Sequence, residues 1–470
     1  MRVSAYISQS FQYPQVMYDD SRMPRNASDT GPMREAELIE KIREVLPPEA
    51  VLTSPSTMAG YLVDWTGNFH GDALAVVRPS STAEVSALMH VCSAHGVAVT
   101  TQGGNTGLVG GSVSLDGLLL STAHLSGIED FDASSGQVTV GAGVTLAQLQ
   151  KFAFGHNLEF GVDLAARDSA TIGGMAATNA GGIHVIANGM MRKQVIGIEA
   201  VLPNGEIVNT LRGLAKDNTG YDLTQLFCGS EGTLGVITKV RVQLHRPVVS
   251  TLVVFGVDSI TEALDICSGF LGSIFAAEII DRPSVESVNR VAGISIPFAS
   301  ALHLLIEVRG ELDFDVLGQH DNVIVALDAT DREKLWALRE RVTESCAAEQ
   351  VGVSHKLDVS FPQNTLGDAY TQLCDLLDRD GVTQVVIFGH LLDGNFHLFF
   401  TTPAAGQEIE RDVLELVARL GGSISAEHGI GRMKAAYLHL SRGESEISMM
   451  KALKSAIDPQ GIMNPGVLFI

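Results

Sequence analysis

Residues 101–113 read TQGGNTGLVGGSV and residues 171–182 read TIGGMAATNAGG. Glycines this dense let backbone N–H groups approach an anion without Cβ obstruction. Thr106, Thr178 and Asn179 add hydroxyl and amide donors but no charge. Two such clusters suit a long diphosphate cofactor better than a single small anion. Tight turns in a turn-rich fold are the alternative for either cluster alone, and GSEGTLG at Gly229–Gly235 adds a third glycine-rich stretch. The standard phosphate signatures fit poorly. GxxxxGK[ST] is absent, and Gly141-Ala142-Gly143 has Leu146 where a dinucleotide fold wants its third glycine.

Outward from these loops, ALAVVRPSSTAEVSALMHVCSAHGVAVT reads strand, cap, helix, strand, with Ser81 or Thr82 as the cap and Glu84 in the first turn. QVTVGAGVTLAQLQKFAFGHN repeats strand, turn and helix. VIGIEAVLPNGEIV is a hairpin turning at Asn204-Gly205. Residues 34–247 thus form one turn-rich unit. From Thr251 the pattern changes. TLVVFGV, ALHLLIEVRG, VSHKLDVSF and the pair TQVVIFGH/NFHLFFTT read as strands of an antiparallel sheet. ITEALDICSGFLGS reads as a helix that EIIDRPSVESVNRVAG extends, and DREKLWALRERVTESCAAE as one charged helix. The expected division is a disordered extension over 1–33, then units over 34–247, 248–425 and 426–470, the last mostly helical.

Composition limits the function classes. There are 48 glycines in 470 residues, and 25 of them lie between Gly96 and Gly235, so the surplus is local. With 45% hydrophobic residues and no G-X-Y period, the chain is neither disordered nor collagenous. A formal net charge of −22 argues against nucleic acid and against an electrostatic anchor on anionic lipid. Cys92, Cys228, Cys267, Cys346 and Cys374 are odd in number and widely spaced, which speaks against a disulfide framework or a thiolate zinc site. No apolar run is long enough to cross a membrane. The reading is a cytoplasmic protein, with peripheral membrane association or an organelle matrix as alternatives. The polar N-terminus lacks the apolar segment of a secretory signal.

A second constellation lies near the C-terminus. GHLLDGNFH sets His390 and His397 seven residues apart around Asp393-Gly394-Asn395, and SAEHG sets Glu427 beside His428. Two imidazoles and a carboxylate suit a first-row divalent metal, with a position left open for substrate. Taken alone the spacing is weak, because 14 histidines occur and a single one is more often surface or satisfied core.

In order along the chain, RPSSTAEVSALMHVCSAHGVAVTTQGGNTGLVGGSV, IGGMAATNAGG, KDNTGYDLTQLFCGSEGTLGVIT, GHLLDGNFH, SAEHGIGRMK and DPQGIMNPG resemble the FAD-linked D-2-hydroxyacid dehydrogenases, the D-lactate, glycolate and D-2-hydroxyglutarate enzymes of the vanillyl-alcohol-oxidase superfamily. The resemblance runs from about Leu38 to the C-terminus. It implies an α+β fold: an FAD-binding domain of two subdomains, an antiparallel-sheet substrate (cap) domain, and a C-terminal helical segment returning to the FAD domain. It implies that Gln102, Gly103, Gly104, Asn105, Thr106, Gly107, Gly110 and Gly111 wrap the FAD diphosphate. Asp163, Leu164, Ser169, Gly173, Gly174, Thr178, Asn179, Ala180, Gly181, Gly182, Glu231, Gly232, Thr233, Val236 and Ile237 would line the rest, with Asn464 near the isoalloxazine. The first loop holds no His or Cys, so the flavin is expected to be noncovalent.

The same resemblance gives His390, His397 and Glu427 as metal ligands, with zinc expected and manganese or iron as alternatives. His428 is the expected base, and Arg339, Thr343, Lys356 and Asn395 the expected substrate contacts. A metal on the substrate hydroxyl lowers its pKa, a neutral imidazole takes the proton, and FAD accepts the hydride. Read without the resemblance, Arg339 lies on a solvated helix face among Glu333, Lys334, Glu340, Arg341 and Glu344. The partners implied are a small anionic 2-hydroxy acid and a separate electron acceptor, with a homodimer compatible.

Three positions depart from the family pattern. Leu392 replaces a glycine of GHLGDGN, Asn188-Gly189 replaces a Tyr-Gly, and Phe399 stands where the D-2-hydroxyglutarate enzymes place a substrate-binding Asn. The apolar character points to D-lactate or another short 2-hydroxy acid, with D-2-hydroxyglutarate dehydrogenase or a glycolate oxidase subunit as the alternative. A metal hydrolase would leave both glycine clusters without a role. A non-catalytic flavin subunit would leave the retained His390, His397, Glu427, His428, Arg339 and Lys356 without one.

Overall fold

Three sheets organise the chain in the computed structural model, which describes residues 35–310, 312, 317, 320–403 and 406–469. The expected extension over 1–33 lies outside the described residues. The first sheet has four strands, ordered Val51–Leu52, Ala75–Val77, Leu118–Ser121, Val99–Gln102, the last three parallel. Helix Thr82–His95 makes the crossover. Ser81 caps it by accepting from Glu84 N–H, and Gly96 ends it in the left-handed conformation.

The second sheet is antiparallel. It runs Ile128–Asp132, Gln137–Gly141, Val236–His245, Val195–Val201, Ile207–Asn209, with Glu159–Phe160 also on Val236–His245. The two sheets share one apolar core that includes Leu88, Leu118, Val140, Ile198 and Val240. The last residues belong to this half as well. Val99 N–H donates to Ile462 O, and Asn464 N–H donates to Val99 O, so the C-terminus adds a bridge beside Val99–Gln102.

The third sheet has seven antiparallel strands, ordered Val323–Val325, Ser250–Val257, Leu302–Arg309, Ile274–Asp281, Thr383–His390, Asn395–Thr402, Val353–Ser360. One face packs on helices Ile260–Ser268, Leu366–Leu377 and Gln407–Arg419. The other packs on Arg282–Ala292, Ala329–Glu340 and Val342–Ala348. Period-2 alternation divides the central strands. Phe396, Leu398 and Phe400 face the first core, while Asn395, His397 and Phe399 face the other way.

Two sequence expectations are corrected here. EIID does not extend a helix. It is the strand Ile274–Asp281, and a new helix starts at Arg282 with Asp281 as N-cap and Pro283 in the first turn. The helix expected over 331–349 is two helices, divided at Arg341.

Candidate active site

Loop 102–111 leaves the first sheet after Val99–Gln102. Its polar side chains knit the loop rather than face outward. Gln102 Nε2 donates to Tyr61 O (2.9 Å) and Ser112 O (3.0 Å), while Asn105 Nδ2 donates to Val63 O (2.8 Å) and its Oδ1 accepts from Ser112 Oγ (2.8 Å). The backbone N–H groups of residues 103–111 donate to no other group among the described residues. Most of these residues are only partly buried, so their free donors remain open to a ligand anion, and they fit the FAD diphosphate.

The second cluster presses directly on the first. A Cβ on Gly103 would collide with Thr171 Oγ1, and one on Gly104 with the Ser169 carbonyl. Gly173 lies against Ala142, and Gly182 against the Asp163 carbonyl. Only beside Gly107 within loop 102–107 is there open space. Most of these glycines are therefore demanded by chain meeting chain. Left-handed backbone at Asn105, Asn179, Glu231 and Asn464 marks the same region.

Several expected lining residues also make bonds or packing contacts within the chain. Asp163 is held by Arg167 and Gln150 (2.9 Å), and Thr178 Oγ1 returns to Gly174 O (3.1 Å). Thr233 Oγ1 donates to Ser230 O (2.7 Å), and Ala180, Val236 and Ile237 are core. Leu164 packs against that core. Glu231 is a latch. Its carboxylate accepts Ile430 N–H (2.8 Å) and Gly431 N–H (2.7 Å), which ties the segment after His428 to the cofactor loops. Asn464 Nδ2 closes the other side, on Gly111 O (2.9 Å) and Glu231 O (2.7 Å), with Gly232 beside it.

The side-chain cluster sits on the face of the seven-stranded sheet that carries Asn395, His397 and Phe399. Ligand atoms of His390, His397 and Glu427 lie within 4.8 Å of one another, and His390 Nε2 is 3.6 Å from Glu427 Oε1. Tetrahedral zinc with bonds near 2.1 Å needs ligand atoms about 3.4 Å apart, so only small side-chain adjustments separate this set from a metal site. The other nitrogen of His390, Nδ1, is 2.5 Å from Glu278 Oε1. Burial opposes charge on Glu278, but His390 and Arg339 beside it hold its carboxyl low. His390, despite its burial, is raised to about 10 by Glu278 and Glu427. A ring between two carboxylates holds a proton that a divalent cation would replace, which is the charge balance expected of a metal site. Gly181 touches this centre from the cofactor side, since a Cβ there would strike Glu427 Oε1. The two constellations are thus one site.

Arg339 Nε donates to Glu278 Oε2 (2.6 Å), and its guanidinium stacks over Phe388 at 4.7 Å. Lys356 Nζ has no carboxylate partner among the described residues. It lies 5.0 Å from the Trp65 ring centre and 5.8 Å from that of Phe399, its cross-strand neighbour, and burial lowers its pKa. Thr343 is exposed on the helix beyond the break, not one turn after Arg339 on a continuous helix. Asn395 is buried and spends its amide hydrogens on Asp358 Oδ1 and Val359 O (2.8 Å each), while its Oδ1 has no hydrogen-bond partner among the described residues. The sequence reading missed Glu278 and Asp358. Asp358 had one signal available: it follows Lys356 at the two-residue period of an alternating strand.

A two-sheet domain carrying the glycine loops and a seven-stranded cap sheet form the arrangement that the resemblance to the vanillyl-alcohol-oxidase superfamily implies. The FAD binding domain family matches residues 73–211, and the C-terminal domain of FAD linked oxidases matches 246–468. The fold resembles p-cresol methylhydroxylase (TM-score 0.74, 16% identity, 94% of this chain and 98% of that one) and 4-ethylphenol oxidase from Gulosibacter chungangensis (TM-score 0.71, 16% identity, 94% and 98%). The chain is 38% identical to the mitochondrial D-2-hydroxyglutarate dehydrogenase of Rattus norvegicus, over 96% of this chain and 88% of that protein. It is 36% identical to a putative mitochondrial D-lactate dehydrogenase of Schizosaccharomyces pombe (88% and 85%) and 34% identical to the D-2-hydroxyglutarate–pyruvate transhydrogenase of Saccharomyces cerevisiae (92% and 94%).

The chain belongs to the FAD-linked D-2-hydroxyacid dehydrogenases and is an FAD-dependent oxidoreductase acting on CH–OH donors. Among the described residues no helix is long and apolar enough to cross a membrane.

Proposed function

We propose that this enzyme oxidises D-2-hydroxyglutarate to the 2-oxo acid, using a divalent cation held by His390, His397 and Glu427 and His428 as the base. The contact of Gly181 with Glu427 carries the reading, because it brings the cofactor loops against the cluster that would hold the substrate hydroxyl. When bound, FAD accepts the Cα hydride and the cation acidifies and orients the hydroxyl. Within the chain, His390 and His397 turn their Nε2 atoms inward, since their Nδ1 atoms face Glu278 and Asp358. His428, stacked on His397 at 5.8 Å, takes the hydroxyl proton. The terminal nitrogens of Arg339 have no partner among the described residues and suit a bidentate carboxylate. Lys356 supplies a second cation, as a diacid requires.

The relatives favour this substrate over the D-lactate expected from Phe399. D-Lactate stays as the second reading, because Phe399 does line the site face. A cytoplasmic or an organelle-matrix location suits the chain equally, since several relatives are named as mitochondrial. Anaerobic bleaching of the yellow protein, with kcat/KM on both acids, tests the proposal. A preference of about tenfold or more for D-2-hydroxyglutarate is expected from one added charge pair in a closed site. A preference for D-lactate overturns it.

A further inference from the structure

Asp358 stands on the strand Val353–Ser360 directly opposite His397. It is fully buried, and beyond holding Asn395 and facing His397 it has been given no role. Its Oδ2 accepts the backbone N–H groups of Glu427 (2.7 Å) and His428 (3.0 Å), and its Oδ1 accepts Asn395 Nδ2 (2.8 Å). Beyond these bonds, His397 Nδ1 lies 3.5 Å from Oδ1 and His428 Nδ1 3.8 Å from Oδ2. Lys434, itself buried, donates to the Asp358 carbonyl (3.3 Å) and to Ile424 O (2.7 Å).

We propose that Asp358 is the positioning residue of the centre: one buried carboxylate that sets the backbone of Glu427 and His428 and turns the Nδ1 sides of His397 and His428 toward itself. The inference rests on the functional reading above.

A purely structural anchor would need the two backbone bonds only. Both imidazoles, however, present Nδ1 to the same carboxylate, which leaves Nε2 of His397 for a metal and Nε2 of His428 for a proton. Carboxylates behind metal-bound or basic histidines fix tautomer and ring orientation in this way. Asp358, His397 and His428 also form a compact donor group of their own, with ligand atoms within 4.8 Å. Three N–H donors already occupy the Asp358 oxygens, so a cation there would have to displace them. Burial opposes the charge of Asp358, but His428, His397 and Lys434 around it keep its carboxyl well below the ordinary range.

The test compares wild type with Asp358→Asn, each purified with FAD. Zn2+ affinity is read by competition with a chelator, and kcat and KM on the better of D-2-hydroxyglutarate and D-lactate. Loss of an orienting carboxylate should weaken Zn2+ binding by about 10–100-fold. It should lower kcat on the order of 10²-fold with KM changed by less than about threefold, because the interaction acts on the transition state. An Asp358→Asn protein with wild-type Zn2+ affinity and kcat overturns the positioning role alone. A wild type that binds no Zn2+ and oxidises neither acid overturns the functional reading, and the positioning role falls with it.

If the variant fails to retain flavin, the wild type decides. In histidine-15N spectra assigned by His397→Ala and His428→Ala, both rings should be in the Nδ1–H tautomer. An Nε2–H tautomer at His428 overturns the proposal.

Discussion

The cofactor loops and the cap-sheet face solve the same task with different parts of the chain. Around residues 102–111 the backbone is the instrument: nine N–H groups are left open, and the polar side chains are used to fix the loop. On the sheet face the side chains are the instrument, and the backbone is a regular ladder that sets their spacing. The first region tolerates change in side chains it turns away from the ligand but not in chain-to-chain distance. The second tolerates small shifts of its frame but not the loss of a donor atom.

Gly104 and Gly107 give the largest contrast. In Gly104→Ala the new Cβ falls on the Ser169 carbonyl, which cannot yield, so the expected cost is more than about 4 kcal/mol, with flavin lost. In Gly107→Ala nothing lies within 4 Å, so thermal stability of the apoprotein should stay within about 0.5 kcal/mol while FAD affinity falls. Equal thermal shifts in the two variants break the claim that packing explains the one and ligand approach the other.

Gly181→Ala probes the boundary between the regions. Its Cβ meets the flexible end of Glu427, not backbone. FAD content should hold, while Zn2+ affinity drops roughly 10-fold or more, as for other disturbances of a metal site. Loss of flavin with metal affinity intact would assign Gly181 to the cofactor side alone.

An effect on stability alone is expected at the seam behind the site. His184, from the cofactor half, meets Glu307 of the cap sheet at 3.2 Å, and Arg332 and Ser250 also hold that carboxylate. Burial opposes its charge, but these partners lower its pKa from 4.5 to about 2. A depressed carboxyl stabilises the fold above its unfolded value, so this contribution is complete above pH 4.5 and disappears as pH falls toward 2. Its size is about 3 kcal/mol. Glu307→Gln should be less stable than wild type at neutral pH and lose less on acidification. A parallel pH dependence in wild type and variant would remove Glu307 from the account.

The backbone region was the more legible in sequence, because dense glycine survives as a one-dimensional signal. Its meaning was less legible. Only the fold reveals that Gly103 and Gly104 face Thr171 and Ser169. The residues proposed to hold the cation and to act as base were readable as short motifs, but Glu278 and Asp358 were not. Glu278 acts on His390, 112 positions away, and Asp358 on Asn395, Glu427 and His428, 37, 69 and 70 positions away, so neither falls within a short motif. The strand Ile274–Asp281 was missed because Ala and Glu favour helix in isolation, whereas pairing with two neighbouring strands overrides that preference. Asp281-Arg282-Pro283 was the available stop signal. The break at Arg341 had none, since every residue from 329 to 348 is compatible with a helix.

The latch between Glu231 and residues 430–431 also orders events in time. Contacts spanning 199 to 353 positions, from Glu231 to Ile430 and from Gly111 to Asn464, join the first half of the chain to its last forty or so residues. Loops that long close slowly. During synthesis the cofactor domain can gather its core early, while its catalytic partner residues are still unmade. Competence therefore arrives with the C-terminus, and a nascent or truncated chain has no complete centre with which to reduce a flavin.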